Sequence, residues 1–312
     1  MRLILCNTHI RADDPPTLPD GHFLFACFED FSVGPLRDWN DPPKFFQNRS
    51  DFWKTTPALD LPDGDKMDHF VWFQALPRHD LVELVKSGVP IDDIPLPKDF
   101  DDLLPQADRI EIWSDHTVSG CLFVWYLCAL FEMTGIDRHR VSISHFSDSL
   151  TNERSPRFWS DMLMDTSTRS IPARSISKAV WRLMVQYWEV ATRMPSAVDP
   201  ALKKKADKHT LHAFKILMGR HSNPTNELTN IQERLIRVAP KKWTKMARVV
   251  GEAMGCGWDE KDRVGDGVLQ FELKNMSRIV PPLFEISGTG AMRYCEVRLT
   301  KYGEKKQEQI NC

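Results

Sequence analysis

Four short apolar runs in the first half of the chain have the length and composition of buried β-strands. They are Leu3–Cys6, His22–Phe28, Arg109–Trp113 and Arg140–His145. The segment Thr117–Thr134 is almost entirely apolar and is followed by Gly135, which predicts a helix buried against a sheet. Strands that alternate with helices favour a parallel, right-handed βαβ arrangement. The pattern therefore predicts a Rossmann-like α/β domain over residues 1–150.

Weaker patterns lie between the predicted strands. A region rich in proline, aspartate and aromatic residues follows Leu36, and one short helix is predicted there near Phe45–Trp53. His69–Leu76 and Asp80–Lys86 have helical spacing, and Gly88 ends the second of them.

The second half of the chain has mostly helical spacing. Ser177–Met194 and Ala201–Arg220 are predicted as long amphipathic helices of a connecting region, residues 151–222. Three further helices and then two β-like runs follow. They are Asn226–Val238, Lys242–Met254, Arg263–Arg278, Leu283–Ser287 and Met292–Leu299. Three helices followed by a hairpin, with Arg298–Gly303 resembling a last wing strand, predict a winged-helix-like domain over residues 223–312.

Charge is distributed unevenly between the two halves. Residues 1–200 hold 20 Lys and Arg against 30 Asp and Glu, whereas residues 201–312 hold 21 against 13. The first part is therefore acidic by ten charges and the second basic by eight, although the whole chain has a net charge of -2. The basic part is the better candidate for phosphate or nucleic acid, and the alternative is that the two halves attract each other.

Cysteine usage and hydropathy indicate a cytoplasmic protein. The seven cysteines form no Cys-x-x-Cys pair and no metal-ligand spacing. The apolar run at the N-terminus stops at Asn7, and the most apolar later stretch, Cys121–Phe131, is far shorter than the roughly 20 residues that cross a bilayer. We therefore predict no membrane segment.

Polar residues follow every predicted strand of the first domain. In an open parallel sheet, ligands bind outside the carboxyl ends of the strands. The residues of this predicted ligand site are Asn7, His9, Asp30, Ser32, Gly34, Pro35, Trp113, Ser114, Asp115, His116, Ser119 and His145. They predict a small polar ligand, phosphate-bearing or nucleotide-like, whose identity and cofactor class the sequence leaves unknown.

Three of these residues are the catalytic candidates. A neutral His116 beside Asp115 has the chemistry of a general base, and Asp30 can orient a ligand or accept a proton. Each residue also has a structural alternative: Asp115 or Ser114 as a helix cap, Gly34-Pro35 as a turn, and His9 and His145 as scaffold. The chain holds no recognisable metal-ligand spacing, dinucleotide fingerprint or nucleophile elbow, so no metal is predicted and catalysis itself is left open.

The predicted winged-helix-like domain suggests duplex DNA as a second partner. The residues placed on its nucleic-acid face are Lys242, Lys245, Gln270, Lys274 and Arg278. Five acidic residues between Asp259 and Glu272 would repel phosphate. The alternative is that this domain packs on the front domain or on a second copy, as in a homodimer.

Two blocks of the chain resemble a known family. They are Phe28–Leu36, with Asp30 and Gly34-Pro35, and Ile110–His116, with Trp113 and Asp115-His116. These blocks are similar to those of a bacterial family described only as domain of unknown function 1835. Residues 209–300 resemble its C-terminal companion domain of unknown function (3658-type). The resemblance implies an α/β domain joined to a helical domain, and no known reaction. An enzyme of hydrolase or transferase type, a ligand-responsive regulator and a non-catalytic interaction module all remain open.

Overall fold

The computed structural model describes residues 1–6, 22–27, 33–55, 73–75, 103–145, 174–193, 198–221 and 225–311. These residues form two compact units. The described part of the first unit comprises residues 1–6, 22–27, 73–75, 103–116, 120–145 and 174–189. The described part of the second comprises residues 33–55, 117–119, 190–193, 198–221 and 225–311. Each unit has its own β-sheet, and together they make a mixed α/β protein.

The first unit is built on a six-stranded sheet in the order β3-β2-β1-β4-β5-β6. The strands are β1 (Arg2–Cys6), β2 (His22–Cys27), β3 (Phe73–Ala75), β4 (Arg109–Ser114), β5 (Val141–His145) and β6 (Arg174–Ser175). β1 is parallel to both β2 and β4, and β4 is parallel to β5, whereas the two edge strands are antiparallel. The four predicted strands are confirmed over their described residues, where the described ends differ from the prediction by at most one residue; Phe28, the predicted end of the second strand, lies outside the described residues.

Two long helices follow the central strands. Helix α2 (Val118–Thr134) confirms the predicted apolar helix, and residues 122–129 on it are all buried. Helix α3 (Lys178–Arg193) contacts it through two aromatic pairs, Trp125 with Tyr187 at 5.4 Å between ring centroids and Tyr126 with Trp188 at 5.2 Å. A helix that is apolar all round has to be covered on more than one face, and α3 supplies part of that cover.

Two predictions in the middle of the chain are corrected. Residues 73–75 pair with β2 as a strand, although helical spacing was predicted there; the rest of both predicted helices in 69–86 lies outside the described residues. The predicted helix Ala201–Arg220 is two helices, α4 (Pro200–Lys203) and α5 (Lys208–Met218). The chain divides because Asp207 caps a new helix by accepting the backbone N–H of Thr210 at 2.7 Å. Helix α1 (Pro42–Thr55) confirms the helix predicted near Phe45.

The C-terminal part of the second unit alternates helices with the strands of a small sheet. In chain order the elements are α6 (Asn230–Val238), β7 (Thr244–Lys245), α7 (Met246–Asp259), α8 (Asp266–Met276), β8 (Phe284–Ser287), β9 (Glu296–Leu299) and α9 (Lys301–Asn311). The sheet is antiparallel in the order β7-β9-β8. Three helices and a hairpin are present as predicted, with two corrections of their bounds. The helix predicted from Lys242 begins at Met246, because residues 244–245 pair with β9 as a strand. The β-run predicted from Met292 is a strand only from Glu296, after a short 3-10 helix over Met292–Tyr294.

The C-terminal end of the predicted hairpin needs a correction. Residues 298–303 were predicted as a strand, but β9 stops at Leu299 and residues 301–311 are helical. Thr300 ends the strand because its hydroxyl oxygen accepts the backbone N–H of Gly303 at 3.0 Å, which caps the new helix.

Residues 33–55 contribute to the core of the second unit although they lie far from it in sequence. Val33 is buried in the same apolar cluster as Leu235, Leu269 and Val297, and Phe52 packs against it. In the part of the chain that the structure describes, no helix combines the length and apolarity needed to span a bilayer.

Candidate functional site

The parallel strands bring their carboxyl ends to one edge of the first unit's sheet. β1 lies between β2 and β4, with Cys6 in register with both Ala26 and Trp113. The next strand in the chain, β2, lies on one side of β1, and the later strand β4 lies on the other, so the strand order reverses at β1. The predicted site residues Asn7, His9, Asp30 and Ser32 follow β1 and β2 and lie outside the described residues.

The turn between β4 and α2 is the described part of this edge. Ser114 and Asp115 are buried, and His116 and Ser119 are half-buried. The Ser114 hydroxyl oxygen lies 2.9 Å from the carbonyl oxygen of Gly120 and 3.1 Å from that of Asp115. The hydroxyl thus links the end of the strand to the first turn of the helix and fixes the path of the residues between them.

Gly120 is a residue of this turn that the sequence interpretation missed. A Cβ atom on it would contact the Asp115 carboxylate, and it would lie 2.5 Å from the Asp115 carbonyl oxygen and 2.8 Å from the Ser114 hydroxyl oxygen. Only glycine allows the loop to approach the helix so closely. The available signal was a glycine in the first turn of an otherwise apolar helix, six residues after the end of the strand.

One backbone donor at the start of α2 already has a partner. Residues 117–119 belong to the second unit, and in that unit the N–H of Val118 donates to the carbonyl oxygen of Lys261 at 3.0 Å. The first N–H groups of a helix bind anions because they have no partner within the helix. The Val118 N–H group is therefore already engaged within the second unit.

A buried carboxylate organises the face of the sheet behind the turn. Glu111 accepts the indole N–H of Trp113 and the hydroxyl of Ser144, both at 2.8 Å, and it forms an ion pair with Arg2. These donors compensate for the loss of water around a carboxylate that is 5% exposed. The indole N–H of Trp113 is thus engaged, and the residue as a whole is buried. His145 is the last residue of β5, the neighbouring strand.

Gly34 and Pro35 are in the second unit, where they line a cavity of about 260 Å³. Its wall is mostly apolar and includes Leu36, Phe52, Phe214 and Val268. Apolar walls disfavour a phosphate group, which needs donors around it. The turn at Gly34-Pro35 therefore has the surroundings of a binding site for a different kind of ligand.

The five residues predicted to lie on a nucleic-acid face differ in their exposure to solvent and in their ion pairs. Lys242 and Arg278 are exposed, Lys274 is half-buried, and Lys245 forms an ion pair with Glu296 at 3.2 Å. Gln270 needs a correction: its side chain is 3% exposed, because it lies on the core side of α8, and from there it does not reach a base edge.

A cluster of buried charges in the second unit surrounds Asp262. Arg220 donates to both carboxylate oxygens, at 2.6 and 3.0 Å, and Arg234 donates at 2.6 Å. Burial alone raises the pKa of Asp262, but the attraction and hydrogen bonds of the two guanidinium groups outweigh it, so the pKa lies below the ordinary aspartate range. The sequence interpretation missed this cluster because its members are 42 and 28 positions apart.

A scan of protein-family models and a search of curated proteins both gave no match to this chain. Within the described residues, no three His, Cys, Asp or Glu side chains gather in a way that could hold a metal ion.

Proposed function

We propose that the first unit is a Rossmann-like domain that binds a small polar ligand, phosphate-bearing or nucleotide-like, at the carboxyl ends of its strands. One observation carries the proposal: β2, β1 and β4 are adjacent, parallel and in register, and the strand order reverses at β1. Ligands of open α/β sheets bind at such a reversal. The polar residues that follow these strands are therefore the ones expected to reach the ligand.

The proposed roles follow from the side-chain chemistry. Asp115 accepts a hydroxyl hydrogen of the ligand, such as that of a sugar, because a carboxylate repels phosphate. Asn7 and the backbone amides of the loops donate to the ligand. His116 acts as acid or base if the site is catalytic, with Asp30 orienting the ligand, and the reaction is then a hydrolysis or a group transfer.

Thermal melting with a panel of ligands tests this proposal. ATP, ADP, NAD and inorganic phosphate are each added to the protein, and a ligand that binds the folded state raises the Tm in a concentration-dependent way. Asp115→Asn and His116→Ala should each remove most of the shift. His139→Ala is the matched control, because His139 is exposed and belongs to a turn before β5. Equal shifts in wild type, Asp115→Asn and His116→Ala would contradict the proposed site.

A second candidate function is supported by the topology of the second unit. The order α6, β7, α7, α8, β8, β9 with the sheet order β7-β9-β8 fits a winged-helix-like domain, so we keep a ligand-responsive regulator that binds duplex DNA as the alternative. Several basic side chains there are neutralised: Lys241, Lys245, Arg248 and Arg298 all lie within 4 Å of a carboxylate. This pairing weakens the attraction for phosphate.

Duplex binding as a function of salt separates the two candidates. A DNA-binding domain loses affinity steeply between about 50 and 200 mM salt, and Lys242→Ala should reduce that slope. If neither DNA nor any ligand of the panel binds, the third class, a non-catalytic interaction module, is favoured.

The proposal also includes the family to which the chain belongs and its location in the cell. Asp30, Gly34-Pro35, Trp113 and Asp115-His116 support membership of the bacterial family with domain of unknown function 1835 and its companion domain. No disulfide forms among the described cysteines, which supports the cytoplasmic location.

A further inference from the structure

The cavity of the second unit is formed by segments that are distant in sequence. Pro35 and Leu36 form one side, and Phe214, Leu217, Ile231 and Phe271, from α5, α6 and α8, form the rest. All of these residues belong to the same unit. The cavity is thus a feature of this unit alone and does not involve the strand edge of the first.

A buried arginine holds one wall of the cavity in place. Arg49 donates through Nη1 to the carbonyl oxygens of Val33 at 2.5 Å and Pro35 at 3.3 Å. Gly34 between them has a φ of 75°, and a Cβ there would lie 2.7 Å from the ring of Phe52. The wall is therefore formed before any ligand arrives, which reduces the ordering that binding requires.

The three polar side chains of the lining already have partners. Arg220 is bound to Asp262 and Asn230, so its charge is neutralised. The Thr229 hydroxyl accepts the backbone N–H of Gln232, and the Glu272 carboxylate accepts the side-chain amide of Gln232 at 3.0 Å. Glu272 keeps the largest capacity to accept further hydrogen bonds among these three, because a carboxylate has about four lone-pair sites and one donor occupies it, whereas the Thr229 hydroxyl has two lone pairs, of which the Gln232 N–H occupies one.

We propose that this cavity binds a compact aromatic molecule, about the size of two fused rings, with one N–H or O–H group that donates to Glu272. An apolar cavity of about 150 Å³ holds a single benzene ring, so 260 Å³ suits a bicyclic ring system. The apolar wall contributes most of the affinity, and the single carboxylate selects a ligand with a donor. A phosphate-bearing ligand does not fit these surroundings, so this site is independent of the one proposed for the first unit.

Indole is the probe, and benzofuran is the matched comparator because it has the same shape without the N–H group. Isothermal titration of the full-length protein should give saturable binding of one indole per chain, with benzofuran at least threefold weaker. Glu272→Gln should remove most of that difference.

Two substitutions of the same type on α5 locate the binding. Leu217 lines the cavity, whereas Leu211 on the same helix is 40% exposed and lies outside the lining. Leu217→Trp fills the cavity and should weaken indole binding at least tenfold, while Leu211→Trp should leave it unchanged. Circular dichroism melting confirms that each variant folds, and Met218→Trp, which also fills the cavity, replaces Leu217→Trp if that variant does not fold.

The possible results of these titrations either support or overturn the proposed cavity site. Saturable binding that is lost in the filled variant and kept in Leu211→Trp supports the proposal. No saturable heat up to the solubility limit of indole overturns it, and so does equal binding by wild type and a folded, filled variant. Equal loss in both tryptophan variants also overturns it, because the binding would then lie elsewhere on the protein.

Discussion

The strand-end turn of the first unit and the cavity of the second both depend on a glycine at a close approach of the chain, but the atoms around the two glycines differ. In each, a glycine lets two pieces of chain approach where a Cβ would collide. Gly120 brings the Asp115 carboxylate and the Ser114 hydroxyl against a helix, whereas Gly34 brings backbone against the ring of Phe52. The first approach concentrates polar atoms and the second closes an apolar wall. A glycine that allows two chain segments to approach closely can therefore mark a candidate site. The chemistry of the neighbouring atoms then decides which kind of ligand suits it.

The two units also differ in how they hold a buried carboxylate. Glu111 in the first unit accepts from an indole and a hydroxyl, and its ionic partner Arg2 is 40% exposed. Asp262 in the second unit is held by two guanidinium groups that are themselves buried. Removal of Asp262 leaves Arg220 without this carboxylate and Arg234 with Glu260, which is 41% exposed, whereas a neutral replacement of Glu111 leaves only the 40% exposed Arg2 without its ion pair. The free-energy cost of a substitution should therefore be larger in the second unit.

The largest effect is expected for Asp262→Ala. It leaves Arg220 buried without this carboxylate and leaves Arg234 with Glu260, which is 41% exposed, as its remaining acidic partner. Breaking a buried pair in this way costs about 3–5 kcal/mol. Urea unfolding should show this loss as a lower midpoint with an unchanged slope. A loss below about 1 kcal/mol would mean that water or another carboxylate compensates the two arginines.

Acid should destabilise the second unit through the same carboxylate. The pKa of Asp262 is lowered in the folded state, so its contribution is present above the unfolded value of about 3.9 and is lost as the pH falls through the folded pKa. Urea midpoints measured from pH 6 down to pH 2 should fall less steeply for Asp262→Ala than for the wild type. Parallel curves for the two proteins would contradict the lowered pKa.

Alanine at each of the two glycines tests the comparison directly. Gly120→Ala forces a Cβ against the Asp115 carbonyl oxygen, and overpacking of this kind costs about 1–3 kcal/mol. Gly34→Ala has a positive φ to maintain, at a cost of about 1–2 kcal/mol, besides the contact with Phe52. Thermal melting measures both losses. Gly251→Ala is the control, because a Cβ there meets no atom within 4 Å and the helical backbone tolerates alanine.

The glycine variants should also separate the two binding activities. Gly120→Ala should weaken binding of the phosphate-bearing ligand and leave indole binding unchanged. Gly34→Ala should weaken indole binding and leave binding of the phosphate-bearing ligand unchanged. If both variants weakened the binding of both ligands equally, each would be acting through general loss of the fold, and the two sites would not be independent.

The smallest effect is expected for Glu111→Gln. The amide oxygen can still accept the Trp113 and Ser144 donors, which share one carboxylate oxygen, but the ion pair with half-exposed Arg2 is lost and an N–H group takes the place of its acceptor, for a cost of about 1 kcal/mol. Near-ultraviolet circular dichroism follows the environment of Trp113 at the same time. A cost as large as that of Asp262→Ala would remove the distinction drawn between the two carboxylates.

Strands and helices with long, regular hydrophobic patterns could be predicted from the sequence, whereas those without such patterns were missed. β1 and α2 were predictable because their apolar runs are continuous, and β4 because polar and apolar residues alternate along it. β7 has two residues and β3 has three, too few to show an alternation. The break between α4 and α5 was missed because helical spacing continues across it, while the Asp207 cap decides the structure. Helix α9 is almost entirely polar, so it has no apolar stripe to reveal it.

The candidate sites were less predictable than the strands. The sequence indicated the strand edge because polar residues followed each apolar run. It did not indicate the cavity, whose lining comes from residues 33–52 and from residues 191–272. It also gave Gln270 a surface position, since a polar residue in a helix is usually exposed, although here its amide nitrogen is buried with no hydrogen-bond partner among the described residues. Distant contacts of this kind leave no periodic signal.

The most direct measurement is a crystal structure of the protein with whichever phosphate-bearing ligand raises its Tm most. The account predicts density for that ligand at the carboxyl ends of β1 and β4, with a hydroxyl within hydrogen-bond distance of the Asp115 carboxylate. Density in the Gly34 cavity, or anywhere away from the turn that holds Ser114 and Gly120, would contradict it.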